Sequence, residues 1–176
     1  VQILEMAGSS PAMTNDGGVS TWTDRDLAVS DPRRAGVIAE AERWIGTPFH
    51  HEARVKGAGI DCLMLLAEVY QRAGVVGHIE VPHYPPDWHM HRDAERYMEG
   101  LLGYAREIEG PPEPGDIALF KFGRVFSHGA IVALWPRLVH AYWAIGVVWG
   151  DATLYPLKGR EVRFFSPFFH NEAVRQ

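Results

Sequence analysis

Hydrophobic and polar positions change rhythm once along this chain, near residue 115. Ahead of that point the apolar residues recur at helical spacing. Ala35, Ile38, Ala39, Glu42 and Ile45 form one such series, with Trp44 beside it. It is entered through Asp31-Pro32, where Asp can cap and Pro fits the first turn, and it stops at Gly46. The run Cys62-Leu63-Met64-Leu65-Leu66-Ala67-Glu68-Val69-Tyr70 between Asp61 and Gly74 is apolar on almost every side, which predicts a central, buried helix. A shorter helix is expected from about 91 to 102, with Asp93, Glu95, Arg96 and Glu99 on its wet face. After the turn Pro111-Pro112-Glu113-Pro114-Gly115-Asp116 the pattern alternates, and strands are predicted near 116–122, 127–134, 137–143, 146–150 and 160–165. Helices first and strands second define an α+β class with a mainly antiparallel sheet.

The connecting stretches differ in character. Residues 1–20 are small and polar and carry Asp16-Gly17-Gly18; residues 1–30 are read as a flexible extension. Residues 47–60 form a loop that holds His50 and His51, and 77–90 form an irregular stretch with Pro82, Pro85 and Pro86. Trp143 and Trp149, in the last strands, are expected in the core.

Composition narrows the function classes. A chain of 176 residues with 47% hydrophobic residues can bury a substantial core in one domain. Its 17 basic residues against 22 acidic ones give a formal charge of −5, which argues against a nucleic-acid grip. No apolar stretch is long enough to span a membrane. The segment VQILEMAGSSPAMTNDGG lacks the basic and apolar regions of a secretory signal, so synthesis without a signal peptide is expected. One cysteine allows neither an intramolecular disulfide nor a multi-cysteine zinc site. His83, His89 and His91 with Asp87 and Asp93 do not define a tetrahedral site, and no metal or other cofactor is expected. That aromatic, histidine-rich stretch reads better as a cleft wall or a subunit contact, with Tyr84, Trp88 and His89 as candidates to line a substrate groove.

The one cysteine is the centre of the candidate chemistry. Cys62 follows Asp61 at the end of the loop Lys56-Gly57-Ala58-Gly59-Ile60 and opens the buried helix. A thiol attacks a carbonyl carbon well only as the thiolate, and a helix N-terminus favours negative charge through its unpaired N–H groups. The same N–H groups can stabilise a tetrahedral oxyanion. Asp61 is placed as the helix cap and not as the base, because its charge opposes thiolate formation.

Two histidines can serve that thiol. In Phe126-Ser127-His128-Gly129-Ala130-Ile131-Val132, alternation puts His128, Ala130 and Val132 on one face. His140 lies in the next strand, beyond Trp135-Pro136-Arg137. A three-residue loop Leu134-Trp135-Pro136 would make paired residue numbers sum to 270 and set His128 and His140 diagonally on one face; a two-residue turn would put them on opposite faces. In the first register His128 takes the Cys62 proton and His140 fixes the His128 tautomer.

These residues carry a resemblance. Gly46-Thr47-Pro48-Phe49, the glycine loop with Asp61-Cys62, Pro114-Gly115-Asp116-Ile117, Ser127-His128-Gly129-Ala130-Ile131 and His140-Ala141 resemble, in order and spacing over about residues 32–150, the NlpC-type cell-wall peptidases. The resemblance implies a papain-like α+β fold in which residues 31–176 form a single cysteine peptidase domain. It implies a catalytic triad of Cys62, His128 and His140, and hydrolysis of an amide in the peptidoglycan stem peptide, most often that between D-glutamate and diaminopimelate. The stretch His83-Tyr84-Pro85-Pro86-Asp87-Trp88-His89 is similar to the branch found in phage tails and gene transfer agents. That implies a protein carried in a phage-like particle, acting at the cell wall or periplasm, with tail-tip or baseplate partners. Three positions depart from the family: Phe49 stands where a tyrosine with its hydroxyl near the oxyanion site is usual, and Leu63 and Met64 stand where a small residue and glycine are common. His50 and His51 are candidates to compensate for the missing hydroxyl. Two other readings stand beside the peptidase: a structural tail-tip protein that keeps the fold without catalysis, and a cytoplasmic thiol amidase or acyltransferase.

Overall fold

The computed structural model describes residues 31–84 and 95–168. The predicted extension at 1–30, residues 85–94 of the aromatic stretch with the start of the third predicted helix, and the last eight residues lie outside the described residues. Among the described residues, three helices precede the main sheet: α1 (Arg33–Glu42), α2 (Cys62–Arg72) and α3 (Glu95–Leu102). A small antiparallel pair, β1 (Arg54–Val55) with β2 (Gly59–Ile60), closes the loop ahead of α2. The remaining strands are β3 (Arg106–Glu107), β4 (Ile117–Phe122), β5 (Val125–Leu134), β6 (Arg137–Tyr142), β7 (Gly146–Asp151) and β8 (Val162–Ser166). They form one antiparallel sheet in the order β3-β8-β4-β5-β6-β7. The predicted α+β class and the five long strands are therefore present; β1, β2 and β3, at two residues each, are too short to leave a periodic signal.

Strand alternation sorts the side chains into two apolar layers. Ile117, Leu119, Ile131, Ala133, Val139, Ala141, Val147 and Phe165 pack with Trp44 of the α1 exit and with Leu65, Leu66, Val69 and Tyr70 of α2. Ala118, Phe120, Ala130, Val132 and Leu138 face the other way and are covered by Leu157. His128 and His140 share the parity of this second layer, so the sheet places both on the face turned away from the helix core.

Helix α1 buries a different stripe from the one expected. Val37, Ile38, Ala41 and Trp44 point inward, while Ala35 and Ala39 are exposed and Ile45 is 37% exposed. Two buried polar side chains explain the rotation, since hydropathy assigns them to the outside. Arg34 pairs with Asp116 at 2.8 Å and donates to the Pro114 carbonyl at 2.8 Å; Glu40 accepts the Trp44 indole N–H at 3.0 Å and the Lys56 ammonium at 2.8 Å. The Asp31 carboxylate accepts the Arg33 N–H at 2.9 Å, which supplies the predicted helix-entry bond.

The β5–β6 hairpin corrects one step of the register argument. Its connection is the two-residue turn Trp135-Pro136, since Leu134 pairs with Arg137. A register shift between Val132 and Leu134 absorbs one residue, and the inner pairs are Ile131↔Val139 and Val132↔Leu138. Both sum to 270, so the bulge restores the register that a three-residue loop would have set, and the two histidines do meet on one face.

Candidate active site

Asp61 builds the start of α2. Its backbone is extended (φ −112°, ψ −179°) and its Oδ1 accepts the Met64 N–H at 2.9 Å, which places Cys62 at the first helical position. Its Oδ2 accepts the Glu52 N–H at 2.7 Å and the Tyr84 hydroxyl, and His51 Nδ1 lies 3.5 Å away. Glu52 has a positive φ of 57°, and its carboxylate accepts the Tyr84 N–H at 2.8 Å. The Tyr84 carbonyl is 2.8 Å from His51 Nε2, and the two rings meet edge to face at 4.8 Å. The loop at 51–52, the α2 cap and Tyr84 are thereby stapled into one wall.

Cys62 is half-buried, and its thiol donates to the Ser127 carbonyl at 3.9 Å. Backbone N–H groups of Gly129, Cys62 and Leu63 are directed at the sulfur and favour a thiolate. Burial outweighs them: with the Asp61 charge adding to it, desolvation pushes the thiol up to about 12. The expected lowering by the helix terminus is thus reversed at rest, because a desolvated sulfur beside a carboxylate is harder to ionise than its donors can offset.

His128 Nε2 lies 2.8 Å from His140 Nδ1, with ring centroids 5.0 Å apart and planes at 82°. Burial lowers His128 well below the usual imidazole range, and repulsion from His140, when that ring is protonated, and from Arg160 acts in the same direction. Burial also lowers His140, to about 4. Both rings are therefore neutral at neutral pH. The Phe122 ring sits 5.0 Å from His128, and the Arg160 guanidinium lies over that same ring, 3.6 Å from its centroid.

One cleft of about 410 Å³ brings these groups together: Phe49, His51, Asp61, Cys62, Tyr84, His128 and Trp143 all line it. His140 stands behind His128, 2% exposed. Phe49 puts no hydroxyl into this cleft, and His50 is an exposed residue outside its lining. Tyr84 takes the groove-lining place considered for it, whereas Trp88, His89 and His91 lie outside the described residues. Trp143, expected in the core, is 72% exposed at the cleft mouth, because it falls in the β6–β7 turn just after the last paired residue Tyr142. Trp149 packs against the helix-side core as expected. Arg160 and Phe122 were not legible as site residues; Phe122 shares the strand parity of Phe120, but nothing local marks Arg160, which reaches β4 from a distant loop. Among the described residues, no group of three or more His, Cys, Asp or Glu can hold a metal, and no helix is long and apolar enough to cross a membrane.

No protein-family model matches this chain, and no curated protein matches it. Solved structures do. The NlpC/p60 domain of the peptidoglycan hydrolase SagA superposes with a TM-score of 0.54 at 19% identity, covering 74% of this chain and 96% of that domain. A Staphylococcus aureus protein described as similar to lipoprotein, of the NLP/P60 family, gives 0.53 at 23% identity, over 77% of this chain and 42% of that one. NlpC2 from Trichomonas vaginalis gives 0.55 at 16% identity, over 83% and 52%. The chain thus has the α+β, papain-like fold of NlpC/p60 domains, and it spans about half or less of the two longer neighbours.

Proposed function

We propose that this protein is a cysteine hydrolase of peptidoglycan that cleaves a stem-peptide amide, with Cys62 as nucleophile, His128 as general base and His140 as the residue that orients it. The observation that carries the reading is the single cleft that holds a helix-terminal thiol and one member of a hydrogen-bonded histidine pair. Because His128 Nε2 is engaged by His140, only Nδ1 remains to accept the thiol proton. The resting pair is neutral, so proton transfer to Nδ1 accompanies attack of sulfur on the carbonyl carbon. The N–H groups at the start of α2 are suited to the resulting oxyanion. His128 then returns the proton to the leaving amine, and water hydrolyses the thioester with His128 again as base.

The proposed bond is that between D-glutamate and diaminopimelate, on the strength of the five family motifs. The stretch from His83 to His89 supports a role in a phage-tail or gene-transfer-agent particle that opens the wall. The test is digestion of diaminopimelate-type peptidoglycan by wild type and Cys62→Ala, read by mass spectrometry. New stem-peptide fragments from wild type alone support the reading and identify the bond. Murein left intact by both proteins overturns it.

One observation favours a second reading, a thiol amidase or acyltransferase acting on another amide or acyl group. A neighbouring cavity of about 400 Å³ meets the cleft at Leu63 and Tyr84, and is walled by Leu66, Tyr70, Val81, Leu101 and Ile117. Transfer of an acyl group to an added amine, with no muropeptide product, would select it.

A further inference from the structure

The cleft contains an arrangement that the triad does not use. Asp61 is 2% exposed and lies next to the nucleophile, where its charge opposes ionisation of the Cys62 thiol. A capping role alone requires only the Oδ1 bond to the Met64 N–H. Oδ2 is separately held by the Glu52 N–H and the Tyr84 hydroxyl, with His51 Nδ1 at 3.5 Å. His51 and Tyr84 both line the cleft beside Cys62, and of the two it is the Tyr84 hydroxyl that makes the close hydrogen bond to that carboxylate.

We infer that Tyr84 is a positioning residue for the nucleophile: its hydroxyl, donated to the Asp61 carboxylate, draws the charge of Asp61 away from Cys62 and so sets how readily the thiol gives up its proton. A carboxylate with a charge-assisted hydrogen bond from a phenol projects less negative potential toward its other neighbours than an unbonded one. Tyr84 is well anchored for the task. Its N–H is held by Glu52, its carbonyl meets His51 Nε2, and its ring packs on the His51 edge at 4.8 Å. The hydroxyl therefore sits in place independently of whether a substrate is bound. Among the described residues, the titratable groups that face Asp61 are His51 from the loop before β1, Tyr84, Cys62 at the start of α2 and Tyr97 from α3; Glu52 turns its carboxylate to the Tyr84 N–H and to His83. Burial and Asp61 together explain why the Cys62 thiol is pushed upward, so the phenol acts against the second of these causes.

Only the consequence for turnover rests on the thiol-hydrolase reading; the effect on the thiol needs no substrate. The experiment is the rate of Cys62 alkylation by iodoacetamide, measured from about pH 7 to 9 on the full chain. Tyr84→Phe keeps the ring and removes the hydroxyl, and is expected to slow alkylation about tenfold throughout that range. Asp61→Asn keeps a capping side chain, removes the charge and is expected to speed alkylation above wild type. In the Asp61→Asn background, Tyr84→Phe is expected to change nothing further. Circular dichroism confirms that each variant is folded. Equal rates for wild type and Tyr84→Phe overturn the inference, and so does an equal slowing in both backgrounds, which would show that Tyr84 acts on Cys62 without Asp61. If murein is not cleaved but this order of rates holds, the proposed substrate fails and the role of Tyr84 stands.

Discussion

His128 Nε2 and His140 Nδ1 lie 2.8 Å apart, and burial keeps both rings neutral at neutral pH. The bond has a direction that follows from the chemistry. If His128 is to accept a proton at Nδ1, its neutral tautomer must carry hydrogen on Nε2 and donate it to His140 Nδ1. After His128 is protonated the same donation continues, so the pair need not rearrange during the reaction. In the proposed mechanism His140 orients the base and accepts its hydrogen bond, whereas a carboxylate in that place would also neutralise the imidazolium.

The two histidines should therefore fail differently. His128→Ala removes the base and is expected to lower kcat on murein by about 10³-fold. His140→Ala leaves the base but frees its ring, with an expected loss of about 10²-fold that falls mostly on kcat. His140→Asn, which can still accept through its amide oxygen, should recover part of that loss. Steady-state kinetics check this; equal losses for His140→Asn and His140→Ala would contradict an orienting hydrogen bond.

Stability should fall on acidification in a defined window. His140 titrates near 6.5 when unfolded and at about 4 in the fold, so between these values the unfolded chain binds the extra proton. The folded state is therefore fully favoured above about pH 6.5 and loses stability as pH falls toward 4. At about 1.36 kcal/mol per unit, the loss from His140 is roughly 3 kcal/mol, and His128 shifts in the same direction. Urea midpoints measured across that window should decline in wild type and decline less in His140→Asn. Equal slopes would refute the assignment.

Gly150 should behave as part of the site although it touches no substrate. A Cβ at this position would lie 2.8 Å from His140 Nε2 and 2.8 Å from Leu138 Cδ1. Gly150→Ala is expected to push the imidazole off its bond to His128, costing about 1–3 kcal/mol of stability by overpacking. Imidazole nitrogen shifts by NMR should report the lost pairing, and activity should fall about tenfold or more. Wild-type shifts and activity would show that the ring has room to yield.

The buried pair Arg34–Asp116 should be the costliest ion pair to break. It ties α1 to the turn before β4 at 2.8 Å, with both side chains nearly inaccessible. Arg34→Ala leaves Asp116 charged and buried, with an expected cost of about 3–5 kcal/mol by denaturant unfolding. Arg34→Met together with Asp116→Leu should cost less than the single change. If the single change costs under about 1 kcal/mol, the pair is dispensable.

Much of this architecture was legible along the chain because its signals are local. The switch from helical spacing to alternation near residue 115 placed α2 and the five long strands, and alternation put His128 on one face with Ala130 and Val132, whereas bringing His140 to that face depended on the turn between the strands. Asp61 followed by an apolar run marked both a cap and the position of Cys62 in the first turn. What local pattern could not carry was decided by packing at long range. The inward stripe of α1 was misread because Arg34 and Glu40 are buried by partners 82 and 16 residues away, which hydropathy does not record. The register of β5 and β6 was right for the wrong turn, because a bulge between Val132 and Leu134 compensates a two-residue connection. The Cys62 thiol goes up and not down because burial, with β5 packed against it at Ser127, and the Asp61 charge outweigh its N–H donors, and only the tertiary structure sets that burial. The sequence by itself determined the cap at Asp61, the helix-terminal place of Cys62 and the candidacy of His128 and His140; the meeting of the two histidines, the approach of Arg160 and the electrostatic state of the thiol came from the assembled fold, since packing, burial and charge act through space.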